Sequence, residues 1–270
     1  MSIPQLTLQS GWQIPMLGLG TWRLKGDECT LTVRRALEMG YTHIDTADMY
    51  DNHAAVGKAL QGFDRASLFI TSKVGPEDLR HDGLIAACER NLRELGLDYL
   101  DMYLMHWPNP HVEMAESFEA LRDLQAQGKI RSIGVSNFVV ERLAQAIDVS
   151  PLPICTNQVE FHPLLYQRDL LEFCNGHGIA VTAYAPLART QALNNDVIRA
   201  VASQCGKTPA QVCLRWLVQK GIIVIPKTAS KERLRENMAI FDWELSADDE
   251  RRIDAIPGEK RLIQGEYAEF

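Results

Sequence analysis

HIDTADMY, residues 43–50, is the stretch that decides how this chain folds. Gly40 precedes it as a helix end, so Tyr41–Asp45 reads as a buried strand that stops at a carboxylate. Tyr50 follows five positions after Asp45, in a loop before a helix predicted over Ala54–Leu60. One strand end and its loop thus present a carboxylate and a phenol together. A phenol titrates near ~10 in water, and it exchanges protons usefully at neutral pH only with help from a cation or a network. The stretch therefore predicts a cation on a neighbouring strand end.

Read outward, the chain alternates strands and helices. Leu6–Leu8 and Trp12–Pro15 flank Gln9-Ser10-Gly11 as an opening hairpin. The predicted strands are Met16–Gly20, Tyr41–Asp45, Leu68–Lys73, Tyr99–His106, Ile130–Val135, Ile154–Val159, Ile179–Tyr184 and Ile222–Ile225. A helix after Met16–Gly20 carries Leu31, Val33, Ala36 and Leu37, with Asp27 as its expected cap. The remaining helices are predicted over Asp82–Leu95, Ser117–Gln125, Glu141–Ile147, Gln167–Cys174, Val197–Cys205, Pro209–Gln219, Lys231–Asn237 and Ala247–Ile256. Runs such as IIVI and MYLM are apolar throughout, as parallel strands covered on both faces must be. The pattern predicts an α/β fold, a closed (β/α)8 TIM barrel, with the hairpin covering the barrel bottom. An open dinucleotide-binding sheet would need GxGxxG after its first strand, and Gly18-Leu19-Gly20 is followed by Arg23 at the third glycine position.

The 270 residues suit one barrel domain spanning 1–270, with no linker or low-complexity segment. A net charge of −7 argues against nucleic acid as a partner. No apolar run reaches the ~20 residues of a membrane span, and the N-terminus carries no signal pattern. The six cysteines form no CxxC pair and read as reduced, buried side chains of a cytoplasmic protein. No metal site is expected.

Active sites of such barrels lie at the C-terminal strand ends. Those ends carry Thr21-Trp22, Asp45, Lys73, His106, Ser136-Asn137, Asn157-Gln158, Tyr184 and Lys227-Thr228. Lys73 is the cation sought. Asp45 would hold it by a charge-assisted hydrogen bond, and its ammonium would lower the pKa of Tyr50. His106 would hydrogen-bond the same substrate oxygen. Each residue alone has a plainer reading: Asp45 and Lys73 as a structural ion pair, Tyr50 as a half-buried tyrosine, His106 as a satisfied core histidine. Their coincidence on adjacent strand ends favours a proton-transfer site aimed at a carbonyl or alcohol oxygen. Trp22, Met49 and Trp107 read equally as pocket wall or rim packing. Trp216 and Trp243 read as packing residues, and His162 as structural.

The motifs resemble the aldo-keto reductase family from about Trp12 to about Ile256. They are LGLGTW (17–22), YTHIDTADMYDN (41–52), ITSKV (70–74), DYLDMYLMHWP (98–108), KIRSIGVSNF (129–138), TNQVEFHP (156–163), and IPKT (225–228) with ERLRENM (232–238). The loop lengths and short C-terminus are similar to the bacterial 2,5-diketo-D-gluconate and methylglyoxal reductases. The resemblance implies a catalytic tetrad of Asp45, Tyr50, Lys73 and His106, and NADPH lying extended across the strand ends. Ser136, Asn137 and Gln158 would bind the nicotinamide carboxamide, and Tyr184 would stack on its ring. Thr21, Trp22, Asp45, Ala185, Pro186 and Leu187 would also line the cofactor. Lys227, Thr228, Arg233, Glu236 and Asn237 would hold its adenosine end. Trp22, Met49, His106 and Trp107 would shape the substrate pocket.

The chain departs from the family at four places. Gly75-Pro76 stands where many relatives carry a tryptophan, which implies a thinner or more mobile wall. Ala185 stands for a frequent serine, Ser230 for an occasional arginine, and Phe270 ends the tail where a tryptophan is common nearby. Few residues follow Ile256, so no long lid is expected.

The implied activity is NADPH-dependent reduction of small dicarbonyls, keto sugars and aromatic aldehydes by a monomer. Histidine at 106 matters, because glutamate there marks the family's steroid double-bond reductases. Two other classes remain open. One is a nucleotide-sensing regulatory module of the same fold, which would need an interaction segment. The other is a non-redox barrel for a phosphorylated ligand, which would need glycine-rich turns where Ala-Pro-Leu and Pro-Lys-Thr stand.

Overall fold

The apolar strands of the sequence close into a ring in the computed structural model, which describes residues 3–270. The hairpin is β1 (Gln5–Thr7) and β2 (Gln13–Pro15), paired antiparallel. The barrel strands are β3 (Gly18–Gly20), β4 (His43–Asp45), β5 (Phe69–Val74), β6 (Leu100–Met105), β7 (Ile130–Ser136), β8 (Ile154–Glu160), β9 (Ala180–Tyr184) and β10 (Ile223–Val224). Each pairs in parallel with its sequence neighbour. A parallel bridge from Leu17 to Val224 completes the ring, with Val224 N–H donating to Met16 O at 2.9 Å.

Helices cover the outside: α1 (Gly26–Glu38), α2 (His53–Leu60), α3 (His81–Leu95), α4 (Met114–Ala126), α5 (Val140–Val149), α6 (Arg168–Gly176), α7 (Asp196–Cys205), α8 (Pro209–Gln219), α9 (Lys231–Met238) and α10 (Ala247–Asp254). Their apolar faces and the outer strand faces share one core that includes Val33, Leu84, Phe118 and Trp216. Each fully buried aliphatic or aromatic side chain there contributes about 1.5–3 kcal/mol through water removal. The hairpin sets Leu8 and Ile14 on Phe69, Cys155 and Ile223 at the strand starts, and so plugs the barrel bottom as predicted. Ser10 and Ser132 hydroxyls meet there at 2.7 Å.

Three local expectations need correction. Asp27 does not cap α1: the cap position is Lys25, and Asp27 lies in the first turn, where a carboxylate faces the positive helix end. The loop of Tyr50 is a 3-10 turn, Asp48–Tyr50, closed by a left-handed Asp51. The segment after Ile256 does reach the barrel mouth: Ile263 lines the cleft that holds Tyr50 and His106. Its fourteen residues lack periodicity, because backbone hydrogen bonds to the barrel hold it rather than a buried apolar face.

Five cysteines are buried and Cys205 is half-buried, all as free thiols. Burial pushes Cys88, Cys174 and Cys213 up to about 12, so they stay protonated and unreactive. No helix among the described residues is long and apolar enough to cross a membrane.

Gly57 shows how closely α2 meets the end of α3. A Cβ there would overlap Leu95 O. Alanine normally stabilises a helix interior by roughly 0.5–1 kcal/mol over glycine. Here the clash is with backbone, so Gly57→Ala is expected to destabilise by about 1–3 kcal/mol. A urea midpoint raised by this substitution would show that the two helices are not in that contact.

Candidate active site

The strand register brings the tetrad together. Asp45 ends β4, and Lys73 reaches across from β5 with its whole side chain buried. Lys73 Nζ donates to Asp45 Oδ1 at 2.6 Å, to Thr46 O at 2.8 Å and to Tyr50 Oη at 3.4 Å. An ammonium has three protons, and all three are engaged. The phenol oxygen accepts from Lys73, which leaves its own O–H free to donate into the cleft. Asp45 Oδ2 accepts from Gln158 Nε2 at 2.7 Å. His106 meets the Tyr50 ring edge-on, with centroids 5.6 Å apart.

The turn that carries Tyr50 is braced twice. Thr46 Oγ1 donates to Asn52 Oδ1 at 2.7 Å, and Asn52 Nδ2 donates to Thr21 O and Leu24 O, both at 3.0 Å. Asp48 accepts from Arg90 of α3 at 2.7 Å. Arg90 also binds Asp78 at 3.0 Å, in the 3-10 turn Pro76–Asp78. Asn109 Nδ2 donates to Pro76 O at 2.9 Å. The Gly75-Pro76 wall is therefore pinned from both sides, with Met49 beside Gly75.

The electrostatics depart from the sequence reading at Tyr50. Burial raises its pKa above the ordinary phenol value, and the opposing pull of Lys73 does not outweigh it. The phenol therefore stays protonated at neutral pH. Burial alone would lower Lys73, but the Asp45 carboxylate and Tyr50 hold it above the ordinary lysine value. Burial, then the Lys73 ammonium, holds His106 well below the ordinary imidazole range. The site at pH 7 is thus a neutral phenol, an ammonium and a neutral imidazole around one opening.

That opening is a cleft of about 390 Å³. Thr21, Trp22, Asp45, Met49, Tyr50, His106, Trp107, Asn137, Tyr184, Ala185, Pro186, Leu187 and Lys227 line it, and Gln158 does not. Asn137 sits left-handed just after β7, and its Nδ2 donates to His106 O at 2.9 Å. Its Oδ1 accepts from Tyr184 Oη at 2.6 Å. Ser136 is buried behind the cleft, donating to Gln158 O at 2.7 Å.

The other predicted residues lie further out. Thr228 is buried, and its Oγ1 accepts from Ser230 N–H at 3.1 Å. Arg233 is exposed in the first turn of α9, while Asn237 is buried in its last. Glu236 accepts from the Thr208 hydroxyl, so its carboxylate is engaged within the protein. Lys227 and Arg233 have no carboxylate partner among the described residues.

Sequence reasoning missed Arg189, Thr190, Ile225 and Ile263 at the cleft. Arg189 and Thr190 belong to an irregular loop with left-handed backbone at Ala185, Ala188, Arg189 and Thr190. Such strain collects at functional loops. The position of Arg189 just after Ala-Pro-Leu was the available signal; Ile263 had none.

Comparison with known proteins identifies the family. The aldo/keto reductase family matches residues 16–257. The chain is 43% identical to the glyoxal reductase of Bacillus subtilis over 258 residues, 94% of this chain and 93% of that one. It is 41% identical to a methylglyoxal reductase of Salmonella typhimurium, covering 94% and 97% of the two chains. A Bombyx mori aldo-keto reductase solved in complex with NADP superposes with a TM-score of 0.92 at 31% identity, over 98% and 96% of the chains. With the tetrad at the strand ends and the match running through the whole barrel, the chain belongs to the aldo/keto reductase family.

Proposed function

We propose that the chain reduces small aldehydes and ketones, above all dicarbonyls of the glyoxal and methylglyoxal kind, with keto sugars and aromatic aldehydes as further substrates. It is an NADP-dependent oxidoreductase by family, and its residues suit that cofactor. The cleft runs along the strand ends past the Tyr184 ring and the Asn137 amide to Lys227. Beyond it, Arg233 stands without a carboxylate partner among the described residues at the start of α9, where the helix dipole favours an anion. Ser136, Asn137 and Gln158 would hold the carboxamide and Tyr184 the ring face. Lys227 and Arg233 would hold the 2′-phosphate, and Thr228, Glu236 and Asn237 the adenosine end. The bound cofactor supplies the hydride that makes the carbonyl an alkoxide.

The chain's own residues supply the proton and the orientation. Tyr50, protonated at neutral pH, donates to the substrate oxygen as general acid. Lys73 stabilises the phenolate left behind, through the bond it already makes to the phenol oxygen. Asp45 holds Lys73 charged. Neutral His106 donates a second hydrogen bond to the same oxygen. The observation that carries this reading is the Lys73 ammonium, with two protons spent on Asp45 and Thr46 and its third on Tyr50.

The test is a panel of methylglyoxal, a keto sugar, benzaldehyde and a steroid ketone with each cofactor. KM values in the upper part of the common ~1 μM–1 mM range are expected for the small carbonyls. Submicromolar KM for the steroid with poor methylglyoxal turnover would overturn the substrate assignment. Charged hydrogen bonds are worth roughly 1.5–3 kcal/mol each, so NADPH should exceed NADH by at least ~10-fold in kcat/KM. Arg233→Ala should erode that preference by weakening NADPH alone. Equal weakening of both cofactors would remove Arg233 from the phosphate site.

A further inference from the structure

Glu160 is a fully buried carboxylate at the end of β8 that the proposed chemistry does not use. No lysine or arginine pairs with it among the described residues. Among the described residues its one charged or polar side-chain partner is His162, also fully buried, whose Nε2 lies 2.9 Å from Oε1. A buried carboxylate without a cation needs its lone pairs satisfied by other donors. Those donors come from the C-terminal segment. Leu262 N–H donates to Oε1 at 2.9 Å, and Ile263 N–H donates to Oε2 at 2.9 Å.

The bonds around this point run in the same sense. Lys260 N–H donates to Leu164 O at 2.7 Å, and Arg261 Nη2 donates to Gln167 Oε1 at 3.1 Å. Gln167 Nε2 in turn donates to the Glu160 backbone carbonyl at 2.7 Å. Further on, the Phe270 ring lies 6.2 Å from that of Trp107, across the mouth. Ile263, the residue whose amide Glu160 holds, lines the cleft with Tyr50, His106 and Trp107.

We propose that Glu160 is a positioning residue that straps the C-terminal segment across the barrel mouth and so sets Ile263 as the wall that selects small carbonyls. The dependence is mutual. If the segment lifts, the carboxylate loses two backbone donors, which opposes opening. The wall is therefore preformed rather than closed by substrate. This selection rests on the carbonyl-reductase reading, whereas the strap itself does not.

The Arg261–Leu262 peptide bond provides the test, because its N–H is the one held by Oε1. Trypsin cuts after Arg261 only when that amide is released. Glu160→Gln places an amide group against two backbone donors, and should speed this cut at least ~10-fold, read by mass spectrometry. In the same variant the ratio of kcat/KM for 2-naphthaldehyde to that for methylglyoxal should rise about 10-fold, as expected when a pocket wall is withdrawn. A purely structural role would lower the melting point and scale both substrates alike. Should Glu160→Gln fail to fold, hydrogen exchange of the unaltered chain decides, with the Leu262 and Ile263 amides protected at least ~10²-fold over free peptide. Unprotected amides, an unchanged rate of cutting, or faster cutting with an unchanged substrate ratio would each overturn the proposal. Absence of NADPH oxidation by the unaltered chain would instead overturn the reductase reading and, with it, the selection, leaving the strap to the cutting and exchange results.

Discussion

Tyr50→Phe is expected to lower kcat by roughly 10²–10⁴-fold, the usual contribution of a positioned general acid. The substitution deletes the hydroxyl that Lys73 approaches at 3.4 Å and keeps the ring that packs on His106. The Lys73 proton that the substitution frees belongs to an ammonium held above the ordinary lysine value, too weak an acid to replace the phenol. His106 is neutral, and Lys73 already spends two protons on Asp45 and Thr46. The affinity for NADPH should stay within about 3-fold, because phenol and cofactor interact chiefly through the reacting oxygen. Steady-state rates and a fluorescence titration with NADPH check the two halves separately. A variant that keeps most of its turnover would remove Tyr50 from the mechanism.

Lys73→Met should act on both activity and stability. Burial raises the Tyr50 pKa, and Lys73 is the main influence that opposes it. Without the ammonium the phenol becomes a still weaker acid, so turnover should fall at least about 10²-fold, the loss typical of one preorganised charge-stabilising donor. The fold also suffers, because Asp45 is left buried with Gln158 as its remaining side-chain partner. Removing one member of a buried pair commonly costs 3–5 kcal/mol, or about that here. Adding Asp45→Asn to Lys73→Met removes the stranded charge. The double variant should recover much of the stability and none of the turnover. Recovery of turnover as well would show that Lys73 serves the fold alone.

The strands and their tips were legible because burial on both faces demands apolar runs, and a polar residue then marks each exit toward the site. The ends at Asp45 and Lys73 needed no more than that. Helix α8 spans Pro209–Gln219 as its sequence predicts, with Pro209 in the first turn and a capping box between Thr208 and Gln211. The start of α1 was not legible, because a carboxylate in a first turn and one at the cap differ by backbone geometry that composition does not encode. The 3-10 turn at Asp48–Tyr50 was hidden for the same reason.

Long-range effects were harder to read. The direction of the Tyr50 shift depends on how much water the closed barrel removes, and pairing it with Lys73 predicted only the opposing contribution. The strap at Leu262 and Ile263 is made by backbone amides, which carry no sequence signal at all. The tetrad residues, by contrast, are legible in the sequence, because Asp45, Lys73 and His106 at the ends of neighbouring strands, and Tyr50 in the turn after the first of them, share one face of the barrel.

Following NADPH absorbance while methylglyoxal and a small aldehyde panel are added to the unaltered chain tests the reductase reading most directly. Steady loss of the absorbance, dependent on the carbonyl compound, is the predicted result. Tight NADPH binding with negligible turnover of every aldehyde would favour a nucleotide-sensing module. Neither binding nor turnover would leave the strand-end charges to a different ligand and contradict the assignment of Tyr50, Lys73, Asp45 and His106 to carbonyl reduction.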